Sequence, residues 1–185
     1  MKRTLVVIVV LALAAFAAWI VLTGQGTPAP GSSADSTSEP VPVGDAGGIP
    51  IPADAETMTV VSIHDGDTLN LRDRTGAVET VRIIGVDTPE VYPTYECYGD
   101  EATDELERLI PVGTTVRAAT DLDPFDDYDR LLLYLWNGDG VFVNLALVEN
   151  GFAEAIRVQP NDAYWDELRA AEDSAARAGL GMWSC

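Results

Sequence analysis

Between Met58 and Val86 the chain runs through three short β-branched segments cut by turn signals, and this stretch most constrains the fold. Met58 to His64 alternates apolar and polar residues, Asp65-Gly66-Asp67 breaks it, and Thr68 to Leu71 returns. Arg74-Thr75-Gly76 makes the next turn, and Val78 to Val86 reads as a third strand with Gly85 marking a bend. Gly99 to Ile110 places Ala102, Leu106, Leu109 and Ile110 at helical spacing. Strands are expected again over Thr114–Thr120 and Leu131–Trp136, the latter turning at Asn137-Gly138-Asp139-Gly140 toward Val141–Val143. A short helix should start at Asn144 and stop near Asn150-Gly151. A last one, capped by Asn161 or Asp162, should end at Gly179. This order predicts an α+β domain over residues 56–185, and a five-stranded barrel with about three helices fits it.

Upstream, Lys2 and Arg3 precede Leu5 to Leu22, 18 residues without a charge. Two readings stay open for residues 1–23. One is a cleaved secretory signal, with Ala15-Phe16-Ala17 as a cleavage site; the other is an apolar helix left as a membrane anchor. Both export the rest of the chain, so the expected location is extracellular, secreted or tethered to the outer face of the membrane. Residues 24–55 are rich in Gly, Pro, Ser and Asp and poor in large apolar groups, as in a disordered linker. Cys97 and Cys185 are the two cysteines. An even count in an exported chain points to one disulfide between them.

Thirty acidic residues against 11 basic ones give a formal net charge of −19, and the single lysine is Lys2. Such a surface repels phosphate backbones, which excludes nucleic-acid binding through a broad basic face. Any anionic substrate must be held by a local site and a cation. Asp65 and Asp67 flank Gly66, and Asp87 and Glu90 flank Thr88-Pro89. Carboxylates on turns beside short strands can converge on a hard cation such as calcium. With one histidine, His64, and two cysteines, the chain lacks the His/Cys cluster that zinc centres use, which disfavours zinc. Arg82 lies in an otherwise apolar strand, and Arg130 follows Asp126-Asp127-Tyr128-Asp129. Two arginines beside a carboxylate cluster suit phosphoryl chemistry, because the guanidinium presents paired donors to phosphate oxygens. A carboxylate such as Glu90 can accept a proton from attacking water.

These motifs together resemble the staphylococcal nuclease family. The resemblance is carried by Ile63-His64-Asp65-Gly66-Asp67-Thr68, Val81-Arg82-Ile83-Ile84-Gly85-Val86-Asp87-Thr88-Pro89-Glu90 and Tyr98-Gly99-Asp100-Glu101-Ala102. Asp127-Tyr128-Asp129-Arg130-Leu131 and Val143 to Ala153 continue it in order, so that it spans about Met58 to Trp183. It implies an OB-fold barrel with three helices and calcium-dependent cleavage of DNA and RNA that leaves 3′-phosphates. It matches Asp67 and Asp87 to calcium-ligating carboxylates, Thr88 to a carbonyl ligand, and Asp65 to an acid that reaches the metal through water. Arg82 and Arg130 match phosphate-binding arginines, Glu90 the general base, and Tyr128 a tyrosine of the nucleotide site.

The family pattern has a lysine at the position of Asp127 and tyrosines at those of Ile156 and Val158. It also has a longer, lysine-rich loop after Glu90, where this chain has Val91 to Cys97 with Tyr92 and Tyr95. Those two tyrosines could stack bases or pack on the barrel. The rival to a nuclease is a non-catalytic OB-fold module at the cell surface that binds nucleic acid or another ligand. A second rival is an exported domain in which calcium only stabilises the fold. No motif points to a protein partner.

Overall fold

The computed structural model describes residues 48–185. The apolar run Leu5–Leu22 and residues 24–47 of the expected linker lie outside them. No helix among the described residues is long and apolar enough to cross a membrane.

The barrel strands are β1 (Glu56–Ile63), β2 (Thr68–Arg72), β3 (Val78–Ile83), β5 (Thr115–Ala119) and β6 (Leu131–Trp136). They close in the order β1-β2-β3-β6-β5, and β5 returns to β1. Four of the junctions are antiparallel; β3 runs parallel to β6. Helix α1 (Gly99–Leu109) lies in the crossover between β3 and β5. A five-stranded barrel with this topology is the OB-fold, as expected. Helices α2 (Val143–Glu149) and α3 (Trp165–Ala178) follow, then a short 3₁₀ turn, Gly181–Ser184.

Alternation explains the core. Met58, Val60, Leu69, Leu71, Val81, Ile83, Val116 and Leu135 point into the barrel, and Leu106, Leu109 and Ile110 of α1 join them. Strand β6 departs from alternation because both of its faces are buried. Leu133 and Leu135 face inward, while Leu132, Tyr134 and Trp136 form a second cluster with Ile84 and Phe142, flanked by Tyr164. Its unbroken run Leu-Leu-Leu-Tyr-Leu-Trp is what burial on two faces requires.

The second cluster moves one expected boundary. Trp136 Nε1 donates to the Ile49 carbonyl at 2.9 Å, Ile49 packs on the cluster, and Ala55 is buried. Residues 49–55, expected in the linker 24–55, are thus laid on the barrel.

Two further elements differ from the sequence reading. The strand expected over Val78–Val86 stops at Ile83. Gly85 turns at φ 79°, and β4 (Val86–Asp87) pairs instead with β7 (Glu154–Ala155). A side chain at Gly85 would collide with Leu168 of α3. The last helix begins at Trp165, not at Asn161 or Asp162. Asn161 is occupied elsewhere: its side chain brackets Asp123, accepting its N–H at 2.8 Å and donating to its carbonyl at 2.7 Å. Asp162 pairs with Arg157. Cys97 and Cys185 are joined as a disulfide across 88 residues, with a Cα–Cα distance of 6.4 Å.

Candidate active site

The β1–β2 turn is shaped by Asp65, whose Oδ1 accepts the N–H groups of Asp67 (3.1 Å) and Thr68 (2.7 Å). Gly66 lets this turn press against Thr88, since a Cβ there would lie 2.8 Å from the threonine side chain. The close approach buries Asp67 to 6% exposure. Its Oδ2 accepts from the Thr88 N–H (2.9 Å) and hydroxyl (3.1 Å), and its Oδ1 from the Thr68 hydroxyl (3.1 Å).

Arg82, at the end of β3, folds back over the following turn. Nη1 donates to the carbonyls of Val86 (2.7 Å) and Ile83 (3.2 Å). The same nitrogen lies 3.0 Å from Asp67 Oδ2, and Nη2 lies 2.7 Å from Asp87 Oδ1. One guanidinium therefore bridges two carboxylates brought in by different turns. Burial pushes the Asp67 carboxyl up to about 6, against the opposing pull of Arg82 and the Thr88 N–H, with Asp65 adding to the rise.

Arg130 is set by the loop before β6. Asp126 Oδ1 accepts the N–H groups of Tyr128 and Arg130, both at 2.9 Å, and Oδ2 takes Arg130 Nε at 2.7 Å. Burial opposes the charge on Asp126, but these donors hold its pKa below the ordinary carboxylate value. Asp126 engages Nε, and among the described residues the terminal amino groups of Arg130 have no hydrogen-bond partner. Arg130 lies over the Tyr128 ring, 5.6 Å from its centroid, and Tyr128 is 81% exposed. Arg82, Arg130, Tyr128, Asp127, Ile156 and Val158 line one cleft of about 260 Å³.

The fold thus ties Asp67 to Asp65, to Thr88 and, through Arg82, to Asp87, and it places Arg82, Arg130 and Tyr128 around one cleft. Glu90 stands outside the cleft lining, three residues beyond Asp87, with an exposed side chain. Tyr92 and Tyr95 are also exposed, at 84% and 59%, so neither packs on the barrel. His64 is exposed at the end of β1.

A family model described as "Staphylococcal nuclease homologue" matches residues 80–185, more than half of the chain. The chain is 37% identical over 131 residues to a thermonuclease of Staphylococcus intermedius, covering 69% of this chain and 76% of that protein. It is 36% identical over 135 residues to a thermonuclease of Staphylococcus hyicus, covering 71% and 78%. It is also 29% identical over 146 residues to the endonuclease YhcR of Bacillus subtilis, covering 73% of this chain and 12% of that protein. The chain belongs to the staphylococcal nuclease family.

Within this family member the partners of Arg82 are all oxygen: the Asp67 and Asp87 carboxylates and the Val86 and Ile83 backbone carbonyls. Among the described residues no group of three or more His, Cys, Asp and Glu converges as a ready metal centre. The set still suits a hard cation, because Asp67 and Asp87 already share one positive group, and calcium completes its shell with carbonyls and water.

Asp67 carries a stability cost that can be measured. Its pKa is raised on folding, so its contribution to stability is complete below the ordinary 3.8 and is lost as pH rises through about 6. The loss amounts to about 3 kcal/mol. In chelator, Asp67→Asn should match the wild-type melting temperature near about pH 4 and exceed it by several degrees near about pH 7. Comparing the two proteins cancels the self-repulsion of the other acids. A constant offset across this range would show that Asp67 is not the source.

Proposed function

We propose that this chain is an exported, calcium-dependent nuclease that hydrolyses phosphodiester bonds of DNA, RNA or both and leaves 3′-phosphates. The observation that carries the reading is the single guanidinium of Arg82, which bridges Asp67 and Asp87 at the edge of the cleft it shares with Arg130 and Tyr128. The names of the thermonuclease and endonuclease relatives support the same reaction class.

In this reading Asp67, Asp87 and the Thr88 carbonyl would hold calcium, with Asp65 close by in support. Bound there, calcium would polarise the phosphoryl group and help to position water. Arg82 and Arg130 take the phosphoryl oxygens, whose charge grows as water adds to phosphorus. Glu90 accepts the proton of the attacking water. The bond to the 5′-oxygen then breaks, that oxygen takes a proton from solvent and leaves as a 5′-hydroxyl, and the phosphate stays on the 3′-oxygen. Tyr128, broad and solvent-facing, offers a base a ring on which to stack. The apolar floor of Ile156 and Val158 has no polar side-chain group with which to read a base edge.

The test is cleavage of single-stranded DNA by the full-length chain with calcium and with chelator, alongside Glu90→Gln. Cleavage should require calcium, and Glu90→Gln should lower kcat by about 10²-fold with KM little changed. Cleavage that survives both chelator and Glu90→Gln would overturn the reading. A folded, calcium-loaded protein without cleavage would make the domain a binding module.

A further inference from the structure

Glu90 poses a problem for a general base. It must sit within hydrogen-bond reach of one water, and a displacement of about 1 Å can lower a rate by about 10²-fold. Yet its side chain is exposed and makes no hydrogen bond among the described residues. The loop beyond it is exposed too, with Tyr92, Tyr95 and Glu96 open to solvent. Nothing grips the Glu90 carboxylate, so its position must come from its backbone.

That backbone is held on both of its polar groups by one residue. Glu96 Oε2 accepts the Glu90 N–H at 3.0 Å, and the Glu96 N–H donates to the Glu90 carbonyl at 2.8 Å. Helix α1 closes in from another side. Gly99 lies so near that a Cβ on it would stand 2.8 Å from the Glu90 carbonyl oxygen and 3.2 Å from that of Pro89. Glu96 thus ties off a short loop with Glu90 at its base.

The next residue, Cys97, is bonded to Cys185. The far end of that bond is itself fixed. Cys185 donates its N–H to Met182, and Met182 donates to the Gly151 carbonyl at 2.9 Å, just beyond α2. A continuous path of bonds therefore runs from the end of α2 through the C-terminal 3₁₀ turn and the disulfide to Glu96 and Glu90. An exposed hydrogen bond contributes little alone. Two such bonds made by a segment with its end covalently anchored persist, because the entropy of ordering the loop is already reduced.

We propose that Glu96 is a positioning residue for Glu90, and that the Cys97–Cys185 disulfide fixes the segment from which it acts. The proposal rests on the reading of Glu90 as the base. The part required of the Glu96 side chain is an acceptor for one N–H, not a charge, which separates this role from an electrostatic one.

The test is steady-state cleavage of single-stranded DNA by the full-length chain with saturating calcium, each variant checked by a melting curve to be folded at the assay temperature. Glu96→Ala should lower kcat by about 10-fold and leave KM within about twofold. Glu96→Gln, which keeps an acceptor oxygen, should return kcat to within about twofold of wild type. Cys97→Ser/Cys185→Ser should lower kcat comparably, and adding Glu96→Ala should then cost less than it does in the wild type, because both act on one segment. Wild-type kcat in Glu96→Ala, beside a Glu90→Gln that loses about 10²-fold, would overturn the positioning role. Equal losses in Glu96→Ala and Glu96→Gln would overturn it as well, by making the charge the active feature. Full activity of Glu90→Gln would sink the underlying reading of Glu90 and the proposal with it.

Discussion

Arg82→Ala is expected to lower kcat/KM for single-stranded DNA by about 10³-fold or more, measured as initial rates at saturating calcium. Two losses combine. In the proposed reading the cleft loses a planar donor pair for phosphoryl oxygens, and the turn after β3 loses the group that holds the Val86 and Ile83 carbonyls. Arg82→Lys separates shape from charge. A lysine keeps the charge but is a point donor that cannot bridge Asp67, Asp87 and the Val86 carbonyl together, so it should recover only about 10-fold of the loss. Calorimetric titration adds a second readout. Without the guanidinium, Asp67 and Asp87 lose a competitor for their charge, so Arg82→Ala should bind calcium at least as tightly as wild type while cleaving poorly. Near-wild-type activity in Arg82→Lys would show that a bare positive charge suffices and that the bridging geometry is incidental.

Much of this arrangement was legible in the sequence because it is local. The Asp-Gly-Asp turn, the short β-branched runs and the helical spacing of Ala102, Leu106 and Leu109 each depend on neighbours a few residues away. The acids at turns and the two arginines stand out as candidates for the same reason. What escaped depends on contacts between distant segments. Val81 to Val86 reads as one strand because its apolar run is nearly unbroken. Only in the folded chain does Arg82 turn back on the Val86 carbonyl while Leu168 claims the space beside Gly85. The segment 49–55 has the composition of a linker, and Trp136, 87 residues away from Ile49, supplies its partner. Asn161 looks like a helix cap until Asp123 is seen to hold both ends of its amide. Glu96 was the hardest to see. An exposed glutamate in a polar loop reads as a solvated charge, and a side chain whose partner is a backbone N–H leaves no signature in residue type. The one signal was its place between Glu90 and Cys97.

Replacing the disulfide, as Cys97→Ser/Cys185→Ser, is expected to lower stability by about 4 kcal/mol, because the bond closes a long loop in the unfolded chain. For a domain of this size the melting temperature should fall by roughly 10 °C. The C-terminal turn itself should stay in place, since it has other moorings, and what loosens in the folded state is the exposed loop from Glu90 to Cys97. Met182 donates to Gly151, and Gly151 and Gly181 pack backbone to backbone with no room for a Cβ on either. The loss of stability therefore lies mainly in the unfolded ensemble, which gains freedom over the 88 residues the bond had closed. Denaturant titration tells this apart from a broken native contact. An unfolded chain freed to expand exposes more surface, so the m-value should rise as the midpoint falls. A small shift of less than about 3 °C with an unchanged m-value would mean that the two ends stay associated without the bond. The acidity of the chain makes that outcome the harder one to reach: at −19 the unfolded chain repels itself and expands, so a covalent tie restricts it more. The same charge gives the tie its use in the folded enzyme, where the loop carrying Glu90 is ringed by acids and has no basic side chain between Glu90 and Cys97 to hold it down.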